Sequence, residues 1–320
     1  MKIVVLDGFT LNPGDLDWED FERIGELKVY HRTPAELTVS RSADAEALLT
    51  NKTVLGEAEL SQLPLLEYIG VLATGYNIVD MEAASRRKIT VTNVPGYSTD
   101  SVAQMVFAHL LNICQNVQRH SNLVKEGAWE KSGDFSFWRY PLIELKGKTM
   151  GIIGFGRIGR KVAQLANAFG MEVAVHSRRV LPVEGYSFVK WLSLEDLLKT
   201  SHVVTLHCPL LPETANLINR ETISLMKKEA ILINTARGPL INEADLAEAL
   251  LQKRIAWAAL DVLEKEPALP DNPLLLSGNC QITPHIGWAT KAARQRLMGV
   301  AVENFNAYLN KKPVNVVEKP

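Results

Sequence analysis

The chain opens on a short apolar run, KIVVL (residues 2–6), closed by Asp7 and Gly8. Continuous β-branched runs of this length, apolar on both faces, are what a parallel sheet buries on both sides. VLG (54–56), LEYIGVLAT (66–74) and ITVTNVP (89–95) repeat the strand pattern, while segments between them such as ADAEALLT (43–50) predict helix. The first hundred residues read as one small α/β unit. Residues 100–125 contain neither Gly nor Pro and place Val102, Met105, Val106, His109, Leu110 and Ile113 on one helical face, with Phe107, Leu111, Cys114 and Val117 on others. A helix apolar on several sides needs several partners, so it is expected to connect domains and to contribute to a subunit interface. Burial within one domain is the alternative.

From Thr149 onward strands and helices alternate regularly: TMGIIG, RIGRKVAQLANAF, MEVAVH, SLEDLLKT, HVVTLH, RETISLMKK, AILINTA, NEADLAEALLQKR, IAWAALDV and QITPH. Ser193 with Asp196, and Asn242 before Glu243, supply N-caps. Such alternation requires parallel strands joined by right-handed crossovers, so the fold class is α/β with doubly wound parallel sheets.

Composition narrows the partners. A single core rarely grows beyond about 250–300 residues, so a chain of 320 residues predicts two domains. Hydrophobic residues make up 47% and charged ones 22%, the balance of an ordinary globular protein rather than a disordered one. Lys and Arg total 35 against 36 acidic residues, so no global field draws the chain to nucleic acid or to an anionic membrane, and a small-molecule partner is expected. The dispersed Cys114, Cys208 and Cys280 suggest neither a disulfide framework nor a zinc site, and the histidines show no metal-binding spacing; no metal is expected, and a reducing, cytoplasmic setting fits. The opening apolar run ends too soon for a signal peptide, and no run reaches the about 18 residues of a membrane span.

Gly154, Gly156 and Gly159 form GxGxxG directly after a strand and at the start of a helix, the setting in which this pattern binds a dinucleotide. The first glycine permits a tight turn, the second leaves room for pyrophosphate, and the third lets helix and strand pack closely. The N–H groups of Arg157 and Ile158 then point at the phosphates with the helix dipole behind them. In NAD-binding units an acid about 20 residues further on clasps the ribose 2′-hydroxyl. Here the strand MEVAVH runs instead into Ser177, Arg178 and Arg179. Two guanidinium groups suit a 2′-phosphate, so the cofactor is expected to be NAD(P), with NADP(H) favoured over NAD(H).

Three polar stretches follow strands, where an α/β fold places its ligands: Arg237 after AILINTA, Glu266 after IAWAALDVL and His285 after QIT. Reduction of a 2-oxo acid turns a carbonyl oxygen into an alkoxide, which needs a proton donor titrating near neutrality. An isolated imidazole titrates near ~6.5, and a carboxylate in contact favours its charged form and fixes the ring. His285 suits the donor role, Glu266 the carboxylate, and Arg237 the cation that steadies developing charge.

The motifs GFGRIG, HCPLLPET (207–214), NTARGPLI (234–241), ALDVLEKEP (259–267) and TPHIGWAT (283–290), in that order, resemble the D-isomer-specific 2-hydroxyacid dehydrogenase family over essentially the whole chain. The resemblance is greatest to its glycerate dehydrogenases, also called hydroxypyruvate or glyoxylate reductases. It implies Arg237, Glu266 and His285 as the catalytic set, and ATGYNIVD (73–80) as the substrate loop, with the N–H groups of Thr74 and Gly75 binding the substrate carboxylate together with Arg237 and His285. It further implies that Thr99, Cys208, Pro209, Thr214, Thr235, Ala236 and Gly287 line the cofactor and that Asp261 receives its carboxamide. The family fold implies two Rossmann-like or flavodoxin-like domains, a substrate domain of residues 1–99 plus 289–320 around an inserted cofactor domain of residues 100–288, with the active site between them closing on binding. Family members dimerise through the region of Trp138, in FSFWRYPL, so a homodimer is implied, with Trp138 reaching the neighbouring subunit's site or serving in packing. Alternatives are a dehydrogenase for a larger 2-oxo acid and a cofactor-sensing protein of the same fold.

Overall fold

In a computed structural model, residues 1–178, 180 and 184–317 are described. The chain divides into two compact units, Met1–Ser98 with Trp288–Pro320, and Thr99–Gly287.

The first unit carries five parallel strands: β1 (Lys2–Val5), β2 (Glu26–Val29), β3 (Ala47–Thr50), β4 (Tyr68–Val71) and β5 (Thr90–Thr92), in the order β2-β1-β3-β4-β5. This is the flavodoxin-like order. Both sheet faces are apolar: Ile3 and Val5 pack with Phe21 and Phe305, while Val4 and Leu6 pack with Leu48 and Ile69. The helix Lys291–Leu309 returns to this unit and lays Ala293, Leu297, Ala301 and Phe305 in its core.

The second unit holds seven parallel strands: β6 (Thr149–Ile153), β7 (Glu172–His176), β8 (Val189–Trp191), β9 (Val203–Leu206), β10 (Ile231–Asn234), β11 (Trp257–Leu260) and β12 (Cys280–Ile282). Their order is β12-β11-β10-β9-β6-β7-β8. The order reverses between β6 and β9, the switch point at which doubly wound sheets open a crevice. Met150 and Ile152 of β6 share a core with Ala103, Val106 and Leu110 of the helix Thr99–Gln115 and with Val162 and Ala163 of the helix Arg157–Ala168. The predicted N-caps form: Ser193 Oγ accepts Asp196 N–H at 3.0 Å, and Asn242 Oδ1 accepts Asp245 N–H at 3.1 Å.

Three sequence expectations need correction. ADAEALLT does not form a helix; Ala47–Thr50 is a central strand, because burial of Ala47, Leu48 and Leu49 between β1 and β4 outweighs helix propensities that differ by under about 1 kcal/mol per residue. VLG is no strand; Leu55 makes a single bridge to Val79. The helix expected over 100–125 breaks at Asn116, whose φ of 49° is left-handed, a conformation asparagine tolerates better than most residues. Its amide donates to Ile113 O at 3.0 Å, and the helix resumes as Val117–Lys125 with no buried residue.

Candidate active site

The carboxyl ends of the neighbouring strands β10, β11 and β12 carry the three residues singled out for chemistry. Glu266 and His285 meet: Nδ1 of the imidazole lies 2.6 Å from Glu266 Oε2. Glu266 is itself held, since its Oε1 accepts the Leu263 N–H at 3.2 Å. With Nδ1 engaged, Nε2 is the ring atom left to exchange a proton with a ligand. His285 has φ of 53°, a left-handed conformation uncommon outside glycine and typical of backbone held in place at a functional site.

Arg237 is exposed and begins the turn Gly238–Leu240. Asn234 fixes that turn by donating to Arg237 O at 2.8 Å and accepting from Ala236 N at 3.0 Å. Among the described residues the Arg237 guanidinium has one hydrogen bond, to Ala236 O at 2.7 Å, and no ion pair. A Cβ on Gly238 would stand 1.9 Å from the Leu263 carbonyl carbon, so glycine lets the Arg237 loop press on the loop that carries Glu266.

The glycine loop has the shape its spacing requires. Gly154 has φ of +97°, and a Cβ there would come within 2.5 Å of Cys208 N. A Cβ on Gly156 would meet nothing within 4 Å, whereas one on Gly159 would stand 2.2 Å from Gly154 O. Turn, open face and close packing fall to the three glycines in that order. Gly156 offers no capping side chain, so the first-turn N–H groups of the helix Arg157–Ala168, those of Arg157 and Ile158 among them, remain for an anion.

A family profile described as "D-isomer specific 2-hydroxyacid dehydrogenase, NAD binding domain" matches residues 107–287. The chain belongs to this family. The dehydrogenase is 49% identical over 322 residues to the hydroxypyruvate reductase of Blautia hydrogenotrophica, with 100% of both chains covered. It is 39% identical over 321 residues to the glycerate dehydrogenase of Methylorubrum extorquens, covering 99% of each. A solved structure of an acyclic imino acid reductase in complex with NADPH and D-Arg is 30% identical with a TM-score of 0.86, covering 99% of this chain and 100% of that one. Membership makes the chain an oxidoreductase of the CH–OH group that uses a nicotinamide dinucleotide. No helix among the described residues is long and apolar enough to cross a membrane.

Other residues of the dehydrogenase fit such a cofactor to different degrees. Thr235, after β10, buries a hydroxyl with no hydrogen-bond partner among the described residues, a polar atom that a bound group can satisfy. Cys208 and Pro209 follow β9 beside Gly154, and burial raises the Cys208 thiol above its ordinary range. Thr214 spends its hydroxyl within its own loop, accepting Leu211 N–H at 2.7 Å and donating to Pro209 O at 2.8 Å. Ser177 and Arg178 follow β7, and Arg178 pairs with Glu213 at 2.8 Å, a partner that local pattern could not show. Arg179 lies outside the described residues. Thr99 opens the long helix. Asp261, expected at the carboxamide, is 2% exposed and accepts Thr283 Oγ1 at 2.5 Å, Ile286 N at 2.9 Å and Gly287 N at 2.7 Å. Its carboxylate is thus first a clamp on the His285 loop.

In the first unit, the loop after β4 is tied by Thr74 Oγ1 to Val94 O at 2.9 Å and by Asn93 Nδ2 to Thr74 O at 2.7 Å. These bonds leave the N–H groups of Thr74 and Gly75 without a hydrogen-bond partner among the described residues.

His207, at the end of β9, gives the unit a pH dependence. Burial pushes its imidazole down to about 3 from an ordinary 6.5, and Nε2 contacts Thr205 Oγ1 at 2.9 Å. Between those two values the unfolded chain binds a proton that the folded one refuses, so stability falls as pH drops through 6.5 and levels off only below about 3. Acidification to pH 5 is expected to cost about 2 kcal/mol through this group. Urea unfolding at pH 7 and pH 5 checks this, with a smaller difference expected for H207Q.

Proposed function

We propose that the chain reduces hydroxypyruvate or glyoxylate, working as a D-glycerate dehydrogenase in reverse, with NADP(H) preferred to NAD(H). The 2.6 Å contact between His285 and Glu266, on loops adjoining that of Arg237, carries the chemical reading. The two relatives supply the substrate class, through their names. A bound nicotinamide supplies the hydride to C2 of the oxo acid. His285 Nε2 gives a proton to the former carbonyl oxygen and recovers it from the alcohol in the opposite direction. Glu266 holds Nδ1 and keeps the ring oriented. The Arg237 fork grips the substrate carboxylate and the polarised oxygen, with the N–H groups of Thr74 and Gly75 as further carboxylate donors. Gly154, Gly156, Gly159, Thr235 and Ala236 cradle the dinucleotide. The test is loss of NADPH and NADH absorbance with hydroxypyruvate, glyoxylate, pyruvate and phenylpyruvate. The reading predicts fastest turnover with one of the first two, and turnover with none of the four would overturn it.

The NADP(H) preference rests on Arg178 at a strand tip that lacks an acid. Its pairing with Glu213 is exposed on both sides, and such pairs contribute under about 1 kcal/mol, so a dianionic 2′-phosphate can displace the carboxylate. R178A is expected to raise KM for NADPH roughly tenfold and KM for NADH little, as loss of one charged hydrogen-bond donor implies. Equal changes in steady-state KM for both cofactors would remove Arg178 from the 2′-phosphate.

Homodimer formation is supported by the segment after the helix break, where Phe135 is 92% exposed, Val117 and Trp138 67% and Leu142 53%. A second copy of the chain is the occupant proposed for these side chains. Sedimentation velocity is expected to give twice the 35.5 kDa chain mass, and F135D with W138D to halve it.

A further inference from the structure

We propose that His109 and Thr283 are positioning residues for His285, joined in a hydrogen-bonded relay that runs from the helix Thr99–Gln115 through Asp261 to the loop bearing the imidazole. The inference rests on the reading of His285 as proton donor. His109 is 4% exposed and places Nε2 3.1 Å from Thr283 Oγ1. A threonine hydroxyl has one hydrogen, and Thr283 gives it to Asp261 Oδ1 at 2.5 Å. His109 must then be the donor in its contact, which fixes the tautomer that carries its proton on Nε2. Burial lowers the His109 imidazole below its ordinary range, with the Asp261 charge opposing in part, in keeping with a neutral ring. The same helix and strand are tied a second time, by Asn112 to the Gln281 side chain and by Gln281 Nε2 to His109 O at 3.3 Å.

The far end of the relay is the backbone on either side of the proton donor. Asp261 accepts the N–H groups of Ile286 and Gly287, the two residues after His285, and a Cβ on Gly287 would stand 2.8 Å from Asp261 Oδ2. His285 N–H is meanwhile turned back to Thr283 O at 2.9 Å. A left-handed histidine costs on the order of 1–2 kcal/mol and persists only where its surroundings over-determine it. The clamp at Asp261 supplies that restraint, and its carboxylate is aimed by the Thr283 hydroxyl, which His109 aims in turn. Removing the hydroxyl frees the carboxylate to rotate, loosens the loop, and displaces Nε2 from the oxygen it must protonate.

T283V, which keeps the shape of the side chain and removes its hydroxyl, and H109L are both expected to lower kcat roughly 10- to 100-fold, the effect of a misplacement of about 1 Å. In the protein without cofactor, amide hydrogen exchange in peptides covering Ile286 and Gly287 is expected to accelerate at least about tenfold in both variants. T283S and H109Q, which restore a donor at each place, are expected to recover most of the turnover and of the protection. Wild-type kcat and exchange in T283V beside a crippled H285A would overturn the relay alone. Normal turnover in H285A would overturn the proton-donor reading and the relay with it. A fall in kcat that tracks a fall in thermal midpoint and that serine does not rescue would also overturn the relay, because a merely structural threonine behaves in that way.

Discussion

H285A is expected to lower kcat about 10³-fold, within the range that a positioned general acid supplies. Cofactor affinity, read from quenching of tryptophan fluorescence, should change by less than about twofold, because in the proposed reaction the imidazole acts on the substrate oxygen and not on the dinucleotide. The physical reason is the division of labour within the pair. Glu266 occupies Nδ1 at 2.6 Å and is itself fixed by the Leu263 N–H, so only Nε2 faces the reaction. Alanine leaves an alkoxide with no proton donor, while Arg237 and the glycine loop remain intact. Single-turnover kinetics with NADPH and hydroxypyruvate separate the loss in the chemical step from any loss in binding. An unchanged rate constant for that step would remove His285 from the reaction.

R237K is the second large effect, with kcat/KM expected to fall on the order of 10²–10³-fold. Lysine keeps the charge and loses the planar fork, so the substitution isolates geometry from charge. The loop leaves no slack to compensate, since Gly238 presses on the Leu263 carbonyl and Asn234 holds Arg237 O and Ala236 N. A point charge on a flexible stem reaches one oxygen at a time, so the carboxylate and the polarised carbonyl cannot both be held. Both KM for the oxo acid and kcat should suffer, with the cofactor dissociation constant unaltered. Initial rates across substrate concentrations check the split, and an R237K variant as active as wild type would mean that charge alone suffices.

Residue order singled out the candidate catalytic residues because their positions are local facts. Arg237, Glu266 and His285 each follow an apolar run that can only be a buried parallel strand, and the ends of such strands face the crevice of a doubly wound sheet. The three glycines were legible for the same reason, their spacing being set by turn, open face and packing. Long-range pairing was not legible. His109 was placed on an apolar helix face, but its partner Thr283 is 174 residues away, and nothing in either segment announces the other. Arg178 read as a guanidinium free to meet a 2′-phosphate, whereas the fold brings up Glu213 from 35 residues further on. Two misread elements, the Ala47–Thr50 strand and the break at Asn116, share a cause, since tertiary burial overrode local propensity in the first and its lack let the helix end in the second.

The measurement that bears most directly on the account is the configuration of the product made from hydroxypyruvate. With NADPH or NADH as reductant, chiral chromatography of the glycerate should show the D isomer alone, formed in step with nicotinamide oxidation. A racemate would contradict an imidazole and a guanidinium that hold the oxo acid in one orientation, and L-glycerate would contradict the D specificity of the family.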